Sequence, residues 1–228
     1  MALQAKDRFL MMMSHEFRTP LNGIINATEF LLDPKYECDA AATREMLTIA
    51  NQAGRNLMAV LAAVLEYADY EPNEVEQNAL NILLRPFMAP IIRDLEHLAE
   101  SEGIRMNYQE VSCCDWGRFN PDRVRDALYA IVQNAILHSQ CSNINIALIR
   151  EIEALSVSIC DDGIGMTDIE LASARQPFRQ VQEGYTRSIG GVGLGIPLTE
   201  RTCISHGGSL EIDNSARQGM KITLNFPQ

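Results

Sequence analysis

Leu10-Met-Met-Met-Ser-His15-Glu-Phe-Arg-Thr-Pro20-Leu-Asn-Gly-Ile-Ile-Asn-Ala-Thr-Glu-Phe-Leu31 places Leu10, Met13, Phe17, Leu21, Ile24, Thr28 and Leu31 at intervals of 3, 4, 4, 3, 4 and 3. That alternation is the seam of a helix in a coiled-coil-like bundle. A second stretch repeats it, with Leu47, Ala50, Gly54, Leu57, Leu61, Val64 and Ala68 at 3, 4, 3, 4, 3 and 4. Asp33-Pro34 stops the first helix and the acidic Glu37-Cys38-Asp39 leads into the second, so residues 1–69 are expected to form a helical hairpin. One stripe per helix cannot be covered inside a lone hairpin. Two copies joined as a four-helix bundle, a homodimer, are therefore expected.

Downstream, the polar, proline-bearing Tyr70-Glu71-Pro72-Asn73-Glu74 marks a linker over 70–75, and a second domain is expected over 76–228. Strands are expected near 76–81 and 105–108, and a helix over 85–101. Another helix is expected over 121–139, with Asn120 as cap and Pro121 at its first position. Residues 143–150 and 154–160 alternate at period two and read as adjacent antiparallel strands. A glycine-punctuated stretch over 161–195 precedes a helix to about 205 and a closing strand pair near 209–213 and 221–226. The fold class is thus a two-helix hairpin in a dimeric four-helix bundle, followed by an α/β sandwich with one sheet face covered.

Nineteen Lys and Arg against 30 Asp and Glu give a net charge of −11, which leaves no basic field for nucleic acid or an anionic membrane. The longest apolar run, 57–65, is nine residues against the roughly 20 that span a bilayer. This region is expected to be cytoplasmic, with membrane attachment only through a sensor region outside it. The six cysteines form no C-x-x-C pair and read as reduced, small apolar side chains.

Four constellations carry chemistry. At about 100° per residue, with Leu10 at zero, the seam clusters around roughly 300–20° while His15 falls near about 140°, so His15 points away from it. Thr19 and Asn22 share the exposed face, Glu16 lies to one side, and Pro20 is expected to bend the helix one turn on. An imidazole beside a carboxylate is a workable nucleophile, though a bare surface histidine also fits. On the 121–139 helix, Ala130, Asn134, Leu137 and His138 share a face, and the Asn134 amide oxygen suits Mg²⁺. Asp161-Asp162-Gly163-Ile164-Gly165 ends a strand, where a carboxylate can accept from an exocyclic amine and glycines admit a ligand; a plain turn fits equally well. Gly190-Gly191-Val192-Gly193-Leu194-Gly195 opens a helix whose backbone N–H groups suit a polyphosphate.

In this order, the four resemble the catalytic core of a sensor histidine kinase. Residues 14–22 look like its H box, Asn134-Ala135 its N box, Asp161 to Gly165 its first glycine box, Pro177-Phe178-Arg179-Gln180 its F box and Gly191 to Gly195 its second glycine box. The resemblance implies a dimerisation and histidine-phosphotransfer hairpin followed by a gyrase-type ATP-binding domain. His15 would be phosphorylated by ATP with Glu16 assisting the proton, and Thr19 completes a Glu-x-x-Thr pattern tied to dephosphorylating the partner, a response-regulator receiver domain. Asn134 would bind Mg²⁺, Asp161 the adenine amine, and Gly191, Gly193, Leu194 and Gly195 the phosphates, with Gly163, Gly165, His138, Phe178 and Arg187 completing the nucleotide site beneath a lid over about 166–190. Two positions depart from the family's N box: Ala130 stands where an Asn is usual and Leu137 where a Lys is usual. The alternative these raise is a nucleotide-binding signalling scaffold with weak or no kinase activity.

Overall fold

A computed structural model describes residues 2–33, 35, 39–68, 78–177, 179, 193–214 and 219–228, with side chains left undescribed at 2–12, 15, 16, 63 and 66–68. The chain forms two compact units, Met1–Tyr70 and Glu71–Gln228.

The first unit pairs α1 (Ala2–Leu32) with α2 (Ala40–Ala68). Pro20 lies inside α1, which runs on through it as helix. Asp39 starts α2 by accepting the Ala42 N–H at 2.7 Å. The helices approach closely at Gly23, where a Cβ would lie 3.2 Å from that of Ala53. The seam read from the sequence divides in two. Met13, Ala27 and Val60 are buried inside the hairpin, whereas Leu21 is 45% exposed, Leu47 55% and Leu61 41%. Ala27 and Val60 stand outside the expected seam, because a 3–4 repeat marks a broad apolar face without saying which edge meets the hairpin partner.

The second unit begins with β1 (Leu80–Leu83), a few residues later than expected, and α3 (Leu84–Ser101). Then follow β2 (Arg105–Ser112), β3 (Trp116–Phe119), α4 (Pro121–His138), β4 (Asn143–Arg150) and β5 (Ala154–Asp161). After these come α5 (Asp168–Ala174), α6 (Gly195–Ser205), β6 (Ser209–Asp213) and β7 (Met220–Pro227). The main sheet has order β2-β4-β5-β7-β6, in which β2 and β4 are parallel and the other pairs antiparallel. A separate ribbon pairs β1 with β3. β3 and α5 were not expected from the sequence: β3 has four residues, including Gly117 and Arg118, and α5 has seven.

Strand alternation builds the core. Ile144, Ile146 and Leu148 of β4 face inward beside Leu155, Val157 and Ile159 of β5 and Ile222, Leu224 and Phe226 of β7. Leu95 and Ile91 of α3, Ile131 and Leu128 of α4, and Cys203 of α6 cover that face. The other face carries polar side chains such as Asn107 and Asn145, bonded to each other at 3.1 Å. Asn120 caps α4, its Oδ1 accepting from the N–H of Asp122 and Arg123, each at 3.2 Å. Among the described residues, no helix is long and apolar enough to cross a membrane.

Candidate functional site

Period two places Asp161, the last residue of β5, in the inward-facing set with Leu155, Val157 and Ile159, and it is only 6% exposed. The Gly163 N–H donates to its Oδ1 at 2.9 Å. Burial pushes its carboxyl up from the ordinary aspartate value, against the lowering effect of the Gly163 N–H and the Ser139 side chain. A carboxylate has about four lone-pair sites, so these partners leave capacity for a ligand donor.

The backbone around Asp161 is crowded because the end of α4, the turn after β5 and the entry to β7 meet there. Ile164 N–H donates to Ser139 O at 2.8 Å, and Gly219 N–H to Gly163 O at 2.6 Å. A Cβ on Gly163 would lie 2.2 Å from Ser139 O, and one on Gly219 2.0 Å from Asp161 O. Only glycine fits either position. Gly165 has φ +67° and likewise packs against Gly219. Asp162 points outward, and its carboxylate accepts from Ser142 N–H at 2.7 Å, Asn143 N–H at 2.8 Å and the Asn143 side-chain amide. Those bonds, led by the Asn143 amide, hold its carboxyl below the usual range.

Asn134 lies five residues before Ser139 on α4, about 7.5 Å along the axis at about 1.5 Å per residue. Its amide meets the start of α6: a Cβ on Gly195 would come within 2.9 Å of Asn134 Nδ2 and 3.5 Å of Ala130 Cβ. Gly193, with φ +71°, turns the chain into α6 against the backbone of Arg179. Leu194 is buried at the N-cap, and among the described residues no side chain caps α6 or accepts from its first N–H groups. His138, the last residue of α4, has its imidazole lowered by desolvation and is neutral at pH 7.

The structure thus brings Asp161, Gly163 and Gly165 together at one end of α4, and Asn134, Gly193, Leu194 and Gly195 together further up it. In the hairpin, His15 and Glu16 lie within α1, and Thr19 and Asn22 are exposed on the face assigned to them. The side chains of His15 and Glu16, and the whole of Phe178, Arg187 and Gly191, fall outside the described residues.

Several contributors escaped the sequence reading. Ser139 and Gly219 carry no local signature, since what makes them matter lies far along the chain. α5 did carry one: Thr167-x-x-Glu170 is a capping box, with Thr167 N–H donating to Glu170 Oε2 at 2.7 Å and Glu170 N–H to Thr167 Oγ1 at 3.3 Å. Asn214 holds the approach to that helix through Met166 O at 3.1 Å and Asp168 Oδ1 at 3.0 Å. At its far end Arg175 pairs with Glu200 of α6.

Two family profiles match the chain. Residues 5–73 match the His Kinase A (phospho-acceptor) domain, and residues 119–228 match the histidine kinase-, DNA gyrase B-, and HSP90-like ATPase family. The chain is a histidine kinase catalytic core. Among curated proteins, this kinase core is 30% identical to the sensor histidine kinase AruS of Pseudomonas aeruginosa over 95% of its own length and 22% of that protein's. It is 28% identical to the signal transduction histidine-protein kinase BarA of Escherichia coli K12, over 96% of its length and 24% of BarA's. It therefore spans about a quarter of the length of these relatives. Among solved structures, the core matches histidine kinase ThkA, in a complex with response regulator TrrA, at a TM-score of 0.74 and 18% identity, over 99% of this chain and 63% of that one. Full-length ShkA with AMPPNP matches at 0.69 and 20% identity, over 96% and 45% of the respective chains.

Proposed function

We propose that this kinase core transfers the γ-phosphoryl group of Mg²⁺-ATP to the imidazole of His15, and that the phosphoryl group then passes to an aspartate of a response-regulator receiver domain. The observation that carries the reading is the pair of stations along α4. One offers the buried Asp161 carboxylate to a base amine. The other offers an amide, Asn134, beside Gly195 at the start of α6, a helix N-terminus that no described side chain caps and that suits phosphates. Asn134 fits a Mg²⁺ ligand, being a half-exposed amide at the phosphate end, and the ion would offset charge on the transferred group. Phe178, Arg187 and Gly191 complete the site by resemblance, with His138 at the foot of α4. In the hairpin, Glu16 takes the proton that the His15 ring loses as its nitrogen attacks, and Thr19 serves the reverse, dephosphorylating step. The ShkA complex with AMPPNP and the ThkA complex with TrrA support an adenine nucleotide and a receiver domain as the two ligands.

The core works as a homodimer. Leu21, Ile25 and Leu32 of α1 and Leu47, Met58, Leu61 and Leu65 of α2 are all exposed in the single chain. On α2 the steps from Leu47 are 11, 3 and 4 residues, which keep one face, and a second hairpin laid on that stripe would bury it. This region acts in the cytoplasm, and any membrane attachment belongs to a sensor region of a longer protein. The test is incubation with γ-labelled ATP and Mg²⁺, wild type beside His15→Ala. An acid-labile, base-stable label is expected on the wild type alone; label surviving the substitution places the acceptor elsewhere.

A further inference from the structure

Among the described residues, the cysteines divide sharply by environment. Cys141 and Cys203 are buried and Cys160 is half-buried, and desolvation pushes all three thiols up, that of Cys203 to about 12. Burial thus withholds the thiolate, the reactive form, at each. Cys113 and Cys114 are consecutive and both exposed, in the loop between β2 and β3. Neighbours in an extended strand face opposite ways, but the chain bends here. The Cys114 N–H donates to Ser112 Oγ at 3.3 Å, and the Ser112 hydroxyl donates back to Cys114 O. On either side the backbone is pinned, by Cys113 N–H to Arg150 O at 3.0 Å and Leu84 N–H to Asp115 O at 2.9 Å.

We propose that Cys113 and Cys114 form a dithiol modification site, remote in the sheet from Asp161, at which a hydroperoxide oxidises the pair to an intramolecular disulfide. One thiolate attacks the outer peroxide oxygen, forming a sulfenic acid and releasing alkoxide or hydroxide. The neighbouring thiolate then attacks the sulfenic sulfur, the S–S bond forms and hydroxide leaves. Two thiols lose two hydrogens, and the hydroperoxide is reduced to an alcohol (or water) and water. The product is strained: consecutive Cα atoms are about 3.8 Å apart, whereas disulfides usually span roughly 4.4–6.8 Å. Strained, exposed disulfides are readily reduced, so the site reports oxidant reversibly rather than stapling the fold. Position supports the remoteness: β4 runs from Asn143, beside the Asp162 carboxylate, to Arg150, whose carbonyl meets Cys113 at the other end.

The chain supplies its own reporter. Trp116 is the single tryptophan, 48% exposed and two residues beyond Cys114, with its carbonyl accepting from Arg150 Nε at 2.9 Å. The experiment uses the 228-residue chain with Cys38→Ser, reduced and then exposed to equimolar hydrogen peroxide. The expected result is a peptide carrying both cysteines that is lighter by two hydrogens and closed to alkylation, together with a changed Trp116 emission. Both changes are expected to reverse with reduced glutathione and to be absent from Cys114→Ser. Since both side chains are exposed, Cys113→Ser and Cys114→Ser are expected to keep the wild-type circular dichroism and autophosphorylation rate. A disulfide between two chains, oxidation to sulfinic acid without a disulfide, or a pair still fully alkylated after peroxide would each overturn the proposal.

Discussion

Replacing Gly195 by Ala isolates the contact between α4 and α6. The new Cβ would stand 2.9 Å from Asn134 Nδ2 and 3.5 Å from Ala130 Cβ. The second distance is ordinary contact and the first is not, so the strain falls on the Asn134 amide, the end of a side chain that can rotate away. Folding has little to lose. Gly195 is absent from the positive-φ glycines and starts a helix, where Ala is favoured over Gly by up to about 1 kcal/mol. Thermal stability is therefore expected to hold or rise slightly, by no more than about 2–4 °C. Catalysis has more to lose, because a misplacement near 1 Å costs up to about 100-fold, or about 2.7 kcal/mol of barrier. The assay is the initial rate of labelling from γ-labelled ATP, beside a melting curve. In an Asn134→Ala background the added methyl has no amide to displace, so Gly195→Ala is expected to cost almost nothing more. An equal loss in both backgrounds would refute the idea that Gly195 acts by making room for Asn134.

Asp161→Asn is expected to weaken binding of a non-hydrolysable ATP analogue about 10- to 150-fold, as loss of a charged hydrogen bond of about 1.5–3 kcal/mol implies, measured by calorimetry. Because burial raises the Asp161 carboxyl, wild-type affinity should fall with decreasing pH earlier than the usual aspartate value of about 3.9 would give, and protonation should meanwhile relieve rather than add folding strain; an affinity flat down to the ordinary range contradicts this. Leu61→Asp with Leu65→Asp, both exposed in the single hairpin, should leave helix content intact and convert dimer to monomer in sedimentation; an unchanged dimer would rule out that stripe as the interface. Leu137→Lys should raise the autophosphorylation rate, about tenfold for each 1.4 kcal/mol gained, because Leu137 is 40% exposed and can be replaced without opening the core. Ala130→Asn should help less, since Ala130 lies against Gly195; the reverse ranking of these two variants would show that the crowding argument is wrong.

The sequence was most legible where one local rule governed. Strand β4 falls at Asn143–Arg150 as its period-two pattern requires, and Asn120 with Pro121 marks the start of α4. Legibility failed where the cause is a distant neighbour. Gly219 is indispensable because its Cβ would strike Asp161 O, a contact across 58 residues that no window on the sequence contains. β3 exists because β1 pairs with it, Leu83 opposite Trp116 and Leu80 opposite Phe119, and not because four residues with a central glycine favour extension. The hairpin seam is a third kind of case. Its period was legible, but Val60 and Leu61 are neighbours with opposite burial, and only the placement of the partner helix separates them.

Asp161 and Asp162 show how a strand register assigns chemistry. Nothing in the pair of identical residues says which one serves a ligand. Ile144 pairs with Asp161, and Asp161 with Met220, so position 161 belongs to the inward set and 162 to the outward one. A slip of one residue would exchange them, since side chains alternate faces. Asp162 opposes such a slip: its carboxylate gathers the N–H groups of Ser142 and Asn143, and its own N–H donates to Asn143 O at 3.3 Å, locking the first turn of chain before β4 to the last residues of β5. The outward carboxylate, held low by those donors, thus fixes the register that delivers the inward one, raised by burial, to the foot of α4. Their opposite shifts follow from one geometric fact, and the residue proposed above to bind the nucleotide is the one that the strand turns inward.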